Sequence, residues 1–266
     1  MSASRQARWV RRAGLGVGLL TGTWYALASA GVQRADVRVG DALRRWGTPG
    51  LDGVVRSTTD LGSAYAATGV AAGLALTGRR QAAADVLGVG FVAWNLAQAN
   101  KRFVRRARPY EADGVRRLIR RPAGSSFPSG HAAVGVAVMS VLADHSRNPT
   151  GRRLLQALAV YVPVSRVYVG VHYPTDVIGG AGLGLALSSL WRGPIAAANR
   201  AAVAVGWRMA VPAMRAAAWA ALGVGLRMRQ ATATAQPDAA SRATPSAAAT
   251  SAASSPPSSR VFARSR

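Results

Sequence analysis

The chain has no cysteine, a single lysine and few acidic residues. The lack of cysteine excludes disulfides, thiolate metal sites and cysteine nucleophiles. Lysine and arginine together number 34 against 10 acidic residues, which gives a formal net charge of +24. The chain is also 50% hydrophobic, and its arginines lie between apolar runs rather than in one block. This distribution favours an anionic lipid bilayer as the partner and argues against nucleic acid, which calls for a basic domain with interleaved aromatic residues.

The only lysine, Lys101, follows an apolar segment that ends in polar residues. Lysine is a compact point charge, and arginine does not replace it equivalently. In a chain so rich in arginine, we interpret Lys101 as a residue kept for a particular task rather than as a chance charge at a helix end.

The apolar runs predict an all-α integral membrane bundle of about six transmembrane helices. The predicted spans are 13–32, 63–77, 81–100, 130–143, 154–169 and 174–191. The first run could instead be a secretory signal cleaved after Ala28-Ser29-Ala30, but its length favours an uncleaved span. Residues 33–62 are predicted to form a polar connection with a Gly/Pro break at 47–50.

The chain divides into three predicted parts: a six-span core (1–193), an extension (194–229) and a tail (230–266). The tail is rich in Ala, Ser, Thr and Pro, which predicts disorder. The extension predicts an amphipathic helix on the cytoplasmic membrane surface, with its arginines on one narrow arc. These arginines are Arg200, Arg208 and Arg215. A seventh span over 216–226 is the alternative.

The charges of the loops predict the orientation, because cytoplasmic loops carry the excess of positive charge. Basic turns at Arg79-Arg80 and at 147–153 indicate a plasma-membrane protein with both termini in the cytoplasm. The loop 101–127 then lies outside, although it is strongly basic. We hypothesise that four of its arginines gather anionic headgroups, with binding to bulk lipid phosphates as the alternative. They are Arg116, Arg117, Arg120 and Arg121.

Three separated sets of polar residues fall at the outer end of such a bundle, because consecutive spans alternate in direction. The sets are Lys101-x6-Arg108-Pro109, Pro128-Ser129-Gly130-His131 and Ser165-Arg166-x5-His172-x3-Asp176. Each residue also has an ordinary structural interpretation, such as an arginine that reaches to the membrane interface. Their joint occurrence on one surface favours a functional site.

These residue types suit phosphoryl transfer, in which negative charge spreads over the equatorial oxygens of the transferred group. Lys101, Arg108 and Arg166 would supply fixed cations. Ser129 and Gly130 would supply free backbone N–H groups at a helix start, where an anion is favoured.

The third set contains the predicted nucleophile, His172, with Asp176 four residues later to hold the imidazole ring. His131 is the predicted general acid that protonates the leaving oxygen. Water would then hydrolyse the phosphohistidine. This chemistry requires no metal and no other cofactor, and the sequence leaves the oligomeric state open.

Together, the three sets resemble the tripartite signature of the type-2 phosphatidic acid phosphatase superfamily, which also includes soluble bacterial acid phosphatases and vanadium haloperoxidases. Every signature position is filled between Lys101 and Asp176. The resemblance implies a haloperoxidase-like helical core, metal-independent dephosphorylation, His172 as nucleophile and His131 as general acid. The expected substrate is a lipid phosphate or diphosphate, namely an isoprenoid diphosphate, phosphatidic acid or phosphatidylglycerol phosphate.

The same residues leave alternative functions open. A lipid phosphotransferase would pass the phosphoryl group to an acceptor other than water, which product analysis would reveal. A vanadate-dependent haloperoxidase would oxidise halide when vanadate is added. A membrane scaffold without activity is a third alternative, and it would be established if His172→Ala matched the wild type.

Overall fold

The computed structural model describes residues 3–192, 195–206 and 208, and no strand occurs among them. The helices are α1 (Ala3–Ala26), α2 (Ala30–Arg44), α3 (Pro49–Thr58), α4 (Ala64–Leu76), α5 (Arg80–Phe103), α6 (Pro109–Ala112), α7 (Gly130–His145), α8 (Pro149–Tyr168), α9 (Pro174–Leu190) and α10 (Ile195–Gly206). A 3₁₀ turn, Thr59–Gly62, joins α3 to α4. The predicted all-α class is confirmed. The predicted tail and most of the extension lie outside the described residues.

Five of the predicted spans coincide with helices to within a few residues, but the first does not. The predicted span 13–32 is wrong at its end, because α1 stops at Ala26 and α2 leaves at an angle of 107°. Ser29 causes the break: its backbone is extended, and its side chain accepts a hydrogen bond from the N–H of Val32. A serine in this position starts a new helix.

Residues 33–62, predicted as a polar connection, are mostly helical. Thr48 caps α3 by accepting a hydrogen bond from the N–H of Leu51, and Pro49 occupies the first turn. Threonine followed by proline is a typical helix start. α2 buries one face, which carries Asp36 and Gly40.

The helices differ in how well they match a bilayer. Among the described residues, α5 is long and apolar enough to cross a membrane, and the bent pair of α1 and α2 would count as a second span if it is continuous. α4 and α10 are apolar but shorter.

α7 and α9 form the centre of the bundle: they pack against each other, and α9 also packs against α1. α7 also contacts α5 and α8, and α4 lies on α5. Glycine permits the close approach of α1 and α9, because a Cβ atom on Gly182 would lie 2.6 Å from the carbonyl oxygen of Gly16. Small residues at helix interfaces allow such contacts in membrane proteins.

α10 is the described part of the predicted extension, and it is docked on the start of α5. The guanidinium of Arg200 contacts the carboxylate of Asp85 at 2.6 Å, and Asn199 donates to the carbonyl oxygen of Ala84 at 2.8 Å. Arg200, predicted to face the membrane surface, is thus bound to a protein carboxylate.

Candidate active site

The three sequence motifs come together at one end of the bundle, called here the site end. α5 and α8 finish at this end, and α7 and α9 begin there. The backbone N–H of Ser129 donates to the carbonyl oxygen of Asp176 at 3.0 Å, which joins the second motif to the third. Arg108 reaches His172, and Lys101 is close enough for its charge to act on Arg108. All of the predicted site residues therefore share one region.

His172 lies in the turn between α8 and α9, where 2% of its surface is exposed. Its Nδ1 atom is 3.6 Å from Oδ2 of Asp176, and its Nε2 atom is 3.3 Å from Nη1 of Arg108. Because arginine can only donate, Nε2 is the acceptor and the ring proton sits on Nδ1, facing the carboxylate. Burial lowers the pKa of His172 to about 3, so the ring is neutral near physiological pH.

Arg108 is buried, and it uses most of its donors to hold the loop that precedes α7. It donates at 2.9 to 3.3 Å to the carbonyl oxygens of Ala123, Gly124, Ser125 and Val171. These hydrogen bonds fix the loop against the turn that carries His172. The same guanidinium places positive charge beside Nε2 of His172, where a phosphoryl oxygen would need it.

Arg166 and His131 share one carboxylate, that of Asp60 in the 3₁₀ turn. Nη1 of Arg166 donates to Oδ1 of Asp60 at 3.3 Å, and the same oxygen is 3.2 Å from Nε2 of His131. The hydrogen bond with His131 is the largest effect that lowers the pKa of Asp60. Nε of Arg166 is buried and finds no hydrogen-bond partner among the described residues. An anionic ligand would satisfy such a donor.

Two side chains fix the start of α7: Ser129 of the second motif, and Trp94, which lies outside the motifs. Ser129 caps the helix by accepting a hydrogen bond from the N–H of Ala132 at 3.4 Å. Gly130 faces Trp94, and a Cβ atom on Gly130 would lie 3.2 Å from the indole ring. The same indole meets the ring of His131 edge-on, with centroids 6.2 Å apart. Trp94 therefore helps to orient both the helix start and the imidazole.

Sequence reasoning overlooked a second layer of polar residues behind His172. Nη1 of Arg106 donates to Oδ1 of Asp176 at 2.7 Å, and its Nη2 donates to Oδ2 of Asp36 at 2.7 Å. Ser126 donates to the other oxygen of Asp176 at 2.5 Å. Burial works to lower the pKa of Arg106, but the two carboxylates outweigh burial and raise it.

Only part of this layer left a signal in the sequence. Asp36 and Gly40 are four residues apart on one face of a helix, and an acid on a buried face requires a cation. Nothing in the sequence distinguishes Arg106 from Arg105. The fold turns Arg106 towards the two carboxylates and leaves Arg105 exposed.

A cleft of about 410 Å³ opens next to the second layer. Arg106 and Tyr173 line it together with the apolar side chains of Leu27, Val37 and Val104. The guanidinium of Arg106 lies over the ring of Tyr173, 4.1 Å from its centroid. A cleft with polar and apolar walls suits an amphipathic ligand.

Comparisons with known proteins agree with the geometry. The family model described as the PAP2 superfamily matches residues 66–196. A decaprenylphosphoryl-5-phosphoribose phosphatase of Mycolicibacterium smegmatis is 34% identical over 137 residues, which are 50% of this chain and 73% of the relative. An undecaprenyl-diphosphatase of Sulfolobus acidocaldarius is 33% identical over 144 residues, which are 53% of this chain and 68% of the relative.

A solved structure extends the similarity to the fold. It is the first transmembrane PAP2 type phosphatidylglycerolphosphate phosphatase from Bacillus subtilis. The two structures agree with a TM-score of 0.57 at 28% sequence identity, over 66% of this chain and 93% of the other. The region matched by the family model, residues 66–196, includes the helices that carry the three motifs.

Proposed function

Because the chain belongs to the PAP2 superfamily, we propose that it is a membrane lipid phosphatase that acts through a phosphohistidine. The observation that carries the proposal is the setting of His172. The ring is buried and neutral, its Nδ1 side faces Asp176, and its Nε2 side faces the guanidinium of Arg108. A neutral imidazole with a lone pair directed at a cationic pocket can attack a phosphoryl group held there.

In the first step Nε2 of His172 forms a bond to phosphorus while the bond from phosphorus to the lipid oxygen breaks. The leaving oxygen takes a proton from His131. Asp176 stabilises the ring of His172, which becomes cationic as the bond forms. In the second step water attacks phosphorus and returns a proton to His131. Inorganic phosphate leaves, and neutral His172 is restored.

The surrounding donors would hold the phosphoryl oxygens through both steps. Lys101 and Arg166 supply charge, and Nε of Arg166, which has no hydrogen-bond partner among the described residues, is the donor best supported for this role. The backbone N–H of Gly130, at the start of α7, would also donate to these oxygens. The N–H of Ser129, predicted to be free, instead donates to the carbonyl oxygen of Asp176. Charge-assisted hydrogen bonds aimed at oxygens where negative charge develops lower the barrier to transfer.

We place the protein in the plasma membrane, with about six spans, cytoplasmic termini and the site end outside. Many large apolar side chains of the described helices are exposed, which supports contact with lipid. Tyr65 is 90% exposed, Phe103 is 82% exposed and Phe91 is 69% exposed. At the other end of the bundle, Arg79 donates to the carbonyl oxygen of His145. This contact brings the two predicted cytoplasmic turns close together.

The proposed substrate is a phosphate or diphosphate on a lipid, reached from the outer leaflet. The substrates for which these relatives are named make decaprenylphosphoryl-5-phosphoribose, undecaprenyl diphosphate and phosphatidylglycerol phosphate the first compounds to test. We further propose that four loop arginines gather anionic headgroups. They are Arg116, Arg117, Arg120 and Arg121. Arg117 and Arg121 already lie over the ring of Tyr110, at 5.5 and 5.9 Å.

The proposal is tested with purified protein and a panel of these lipids, measured by phosphate release. Acid-labile, base-stable phosphate should be trapped on the protein by rapid quenching and map to His172. Vanadate should inhibit, and EDTA should not. Activity that disappears with EDTA and returns with magnesium would overturn the proposed chemistry. Unchanged activity and selectivity after neutralisation of all four loop arginines would remove the headgroup proposal alone.

A further inference from the structure

A continuous chain of charged contacts runs from α2 to the carboxylate beside His172. Oδ2 of Asp36 accepts from Nη2 of Arg106 at 2.7 Å, and Nη1 of Arg106 donates to Oδ1 of Asp176 at 2.7 Å. Thr175 reinforces the chain, because its N–H donates to Oδ1 of Asp36 at 2.9 Å and its hydroxyl accepts from Arg106 at 2.7 Å. Residues from three parts of the sequence thus converge behind the nucleophile.

The members of this chain are removed from solvent. The side chains of Asp36 and Asp176 are 2% and 0% exposed, and that of Arg106 is 14% exposed. Burying two carboxylates and a guanidinium costs more desolvation than burying apolar side chains of similar volume. Stability alone therefore gives little reason for this arrangement, whereas fixing the geometry of a catalytic carboxylate does.

Hydrogen bonds hold both carboxylate oxygens of Asp176, and the direction towards His172 is left open. Arg106 holds its Oδ1 atom, while Ser126 and the N–H of Tyr173 hold Oδ2 at 2.5 and 2.8 Å. The plane of the carboxylate is thereby fixed, with Oδ2 turned towards Nδ1 of His172. If Arg106 were lost, Oδ1 would lack its charged partner and the carboxylate could rotate away from the imidazole.

We propose that Asp36 and Arg106 are positioning residues for the phosphatase reaction. They hold Asp176 in the orientation that keeps the proton of His172 on Nδ1 and its lone pair on Nε2. This inference rests on the proposed function, since it assigns the two residues to the same nucleophile. It also makes α2, outside the three motifs, a part of the catalytic apparatus.

The test compares each residue with a neighbour of the same type. Asp36→Asn and Arg106→Gln should each lower kcat by about tenfold or more, with KM changed by less than about twofold. Asp41→Asn, on the exposed face of the same helix, and Arg102→Gln, exposed at the end of α5 and outside the cleft, should match the wild type. Thermal unfolding in detergent is measured for each variant, because a fall in kcat at unchanged KM in a folded protein excludes a purely structural role.

If a variant folds poorly, two further comparisons of activity still test the proposal. Arg106→Lys should recover part of the activity that Arg106→Gln loses. In an Asp176→Asn background, Arg106→Gln should cause no further loss, since it acts through that carboxylate. Wild-type kcat in Asp36→Asn and Arg106→Gln, or losses that multiply with Asp176→Asn, would overturn the positioning role. If His172→Ala were also fully active, the proposed function itself would fail.

Discussion

A histidine, an aspartate and an arginine meet at each end of the bundle. At the site end they are His172, Asp176 and Arg106, and at the far end they are His145, Asp85 and Arg200. Both carboxylates are buried, with side-chain exposures of 0% and 2%, and each contacts its arginine at 2.6 to 2.7 Å. The residue types alone therefore do not distinguish a catalytic cluster from a structural one.

The difference lies in which ring nitrogen faces the carboxylate. At the far end Nε2 of His145 is bound to Asp85 at 2.9 Å, and 25% of the side chain is exposed. At the site end Nδ1 of His172 faces its aspartate, and Nε2 stays beside the cation of Arg108. At the far end the three side chains satisfy one another's hydrogen bonds, and the cluster attaches α10 to the bundle. A cluster that keeps one ring nitrogen beside a guanidinium without a carboxylate partner among the described residues can attack an anionic substrate.

The largest expected effect separates the two histidines. His172→Ala should lower kcat/KM on the best lipid of the panel by at least about a thousandfold, because the nucleophile is lost. His145→Gln, which can still hydrogen-bond Asp85, should stay within about twofold of the wild type. Phosphate release from matched amounts of folded protein measures both. Equal losses in the two variants would show that the two clusters are not distinct in function.

Substitution of Asp176 should lower activity, whereas substitution of Asp85 should lower stability. Asp176→Asn removes the charge that stabilises the ring of His172, and kcat should fall on the order of 100-fold or more. Asp85→Asn should leave kcat near the wild-type value but destabilise the protein by about 1–3 kcal/mol, because it weakens the attachment of α10. Enzyme assays and thermal unfolding in the same detergent give both quantities. A drop in kcat without loss of stability in Asp85→Asn would contradict this division.

His172 and Asp176 of the site-end cluster could be predicted from the sequence, whereas Arg106 and the far-end cluster could not, for physical reasons. Lys101, His131 and His172 are rare residue types at the ends of apolar segments, and alternating spans bring such ends together. Asp85 and His145 also stand near helix ends, but the contact of Asp85 with Arg200 requires the docking of α10. No local pattern specifies that contact.

The second layer of the site was beyond sequence reasoning for a related reason. The sequence predicts a polar connection over residues 33–62, and a connection gives Asp36 and Asp60 no defined partner. Their roles appear once Ser29 and Thr48 cap two additional helices and bring both carboxylates to the site end. The capping signals were readable in the sequence. The long-range partners, Arg106 for Asp36 and His131 for Asp60, were not.

The protonation state of His172 gives a test of smaller size. An ordinary histidine, with a pKa of about 6.5, is mostly protonated at about pH 5. Because burial lowers the pKa of His172 to about 3, its ring should stay neutral as the pH falls through that range. Nitrogen NMR of labelled histidine, with His172→Asn to assign the signal, should show constant shifts between about pH 7.5 and 5. A midpoint near 6.5 would contradict the buried, neutral nucleophile.

The smallest expected effect is found by making the same substitution, arginine to glutamine, at both ends of the bundle. Arg200 is 38% exposed, and Asp85 has a second partner in His145, 2.9 Å away, which should remain when Arg200 is replaced. A partly exposed ion pair contributes under about 1 kcal/mol, so Arg200→Gln should lower Tm by only a few degrees and leave kcat unchanged. Arg106→Gln should do the reverse, lowering kcat far more than its change in Tm would explain. If Arg200→Gln lowered kcat as strongly as Arg106→Gln, the docking of α10 would be coupled to the site. The far cluster would then have to be interpreted as a control element rather than as a structural one.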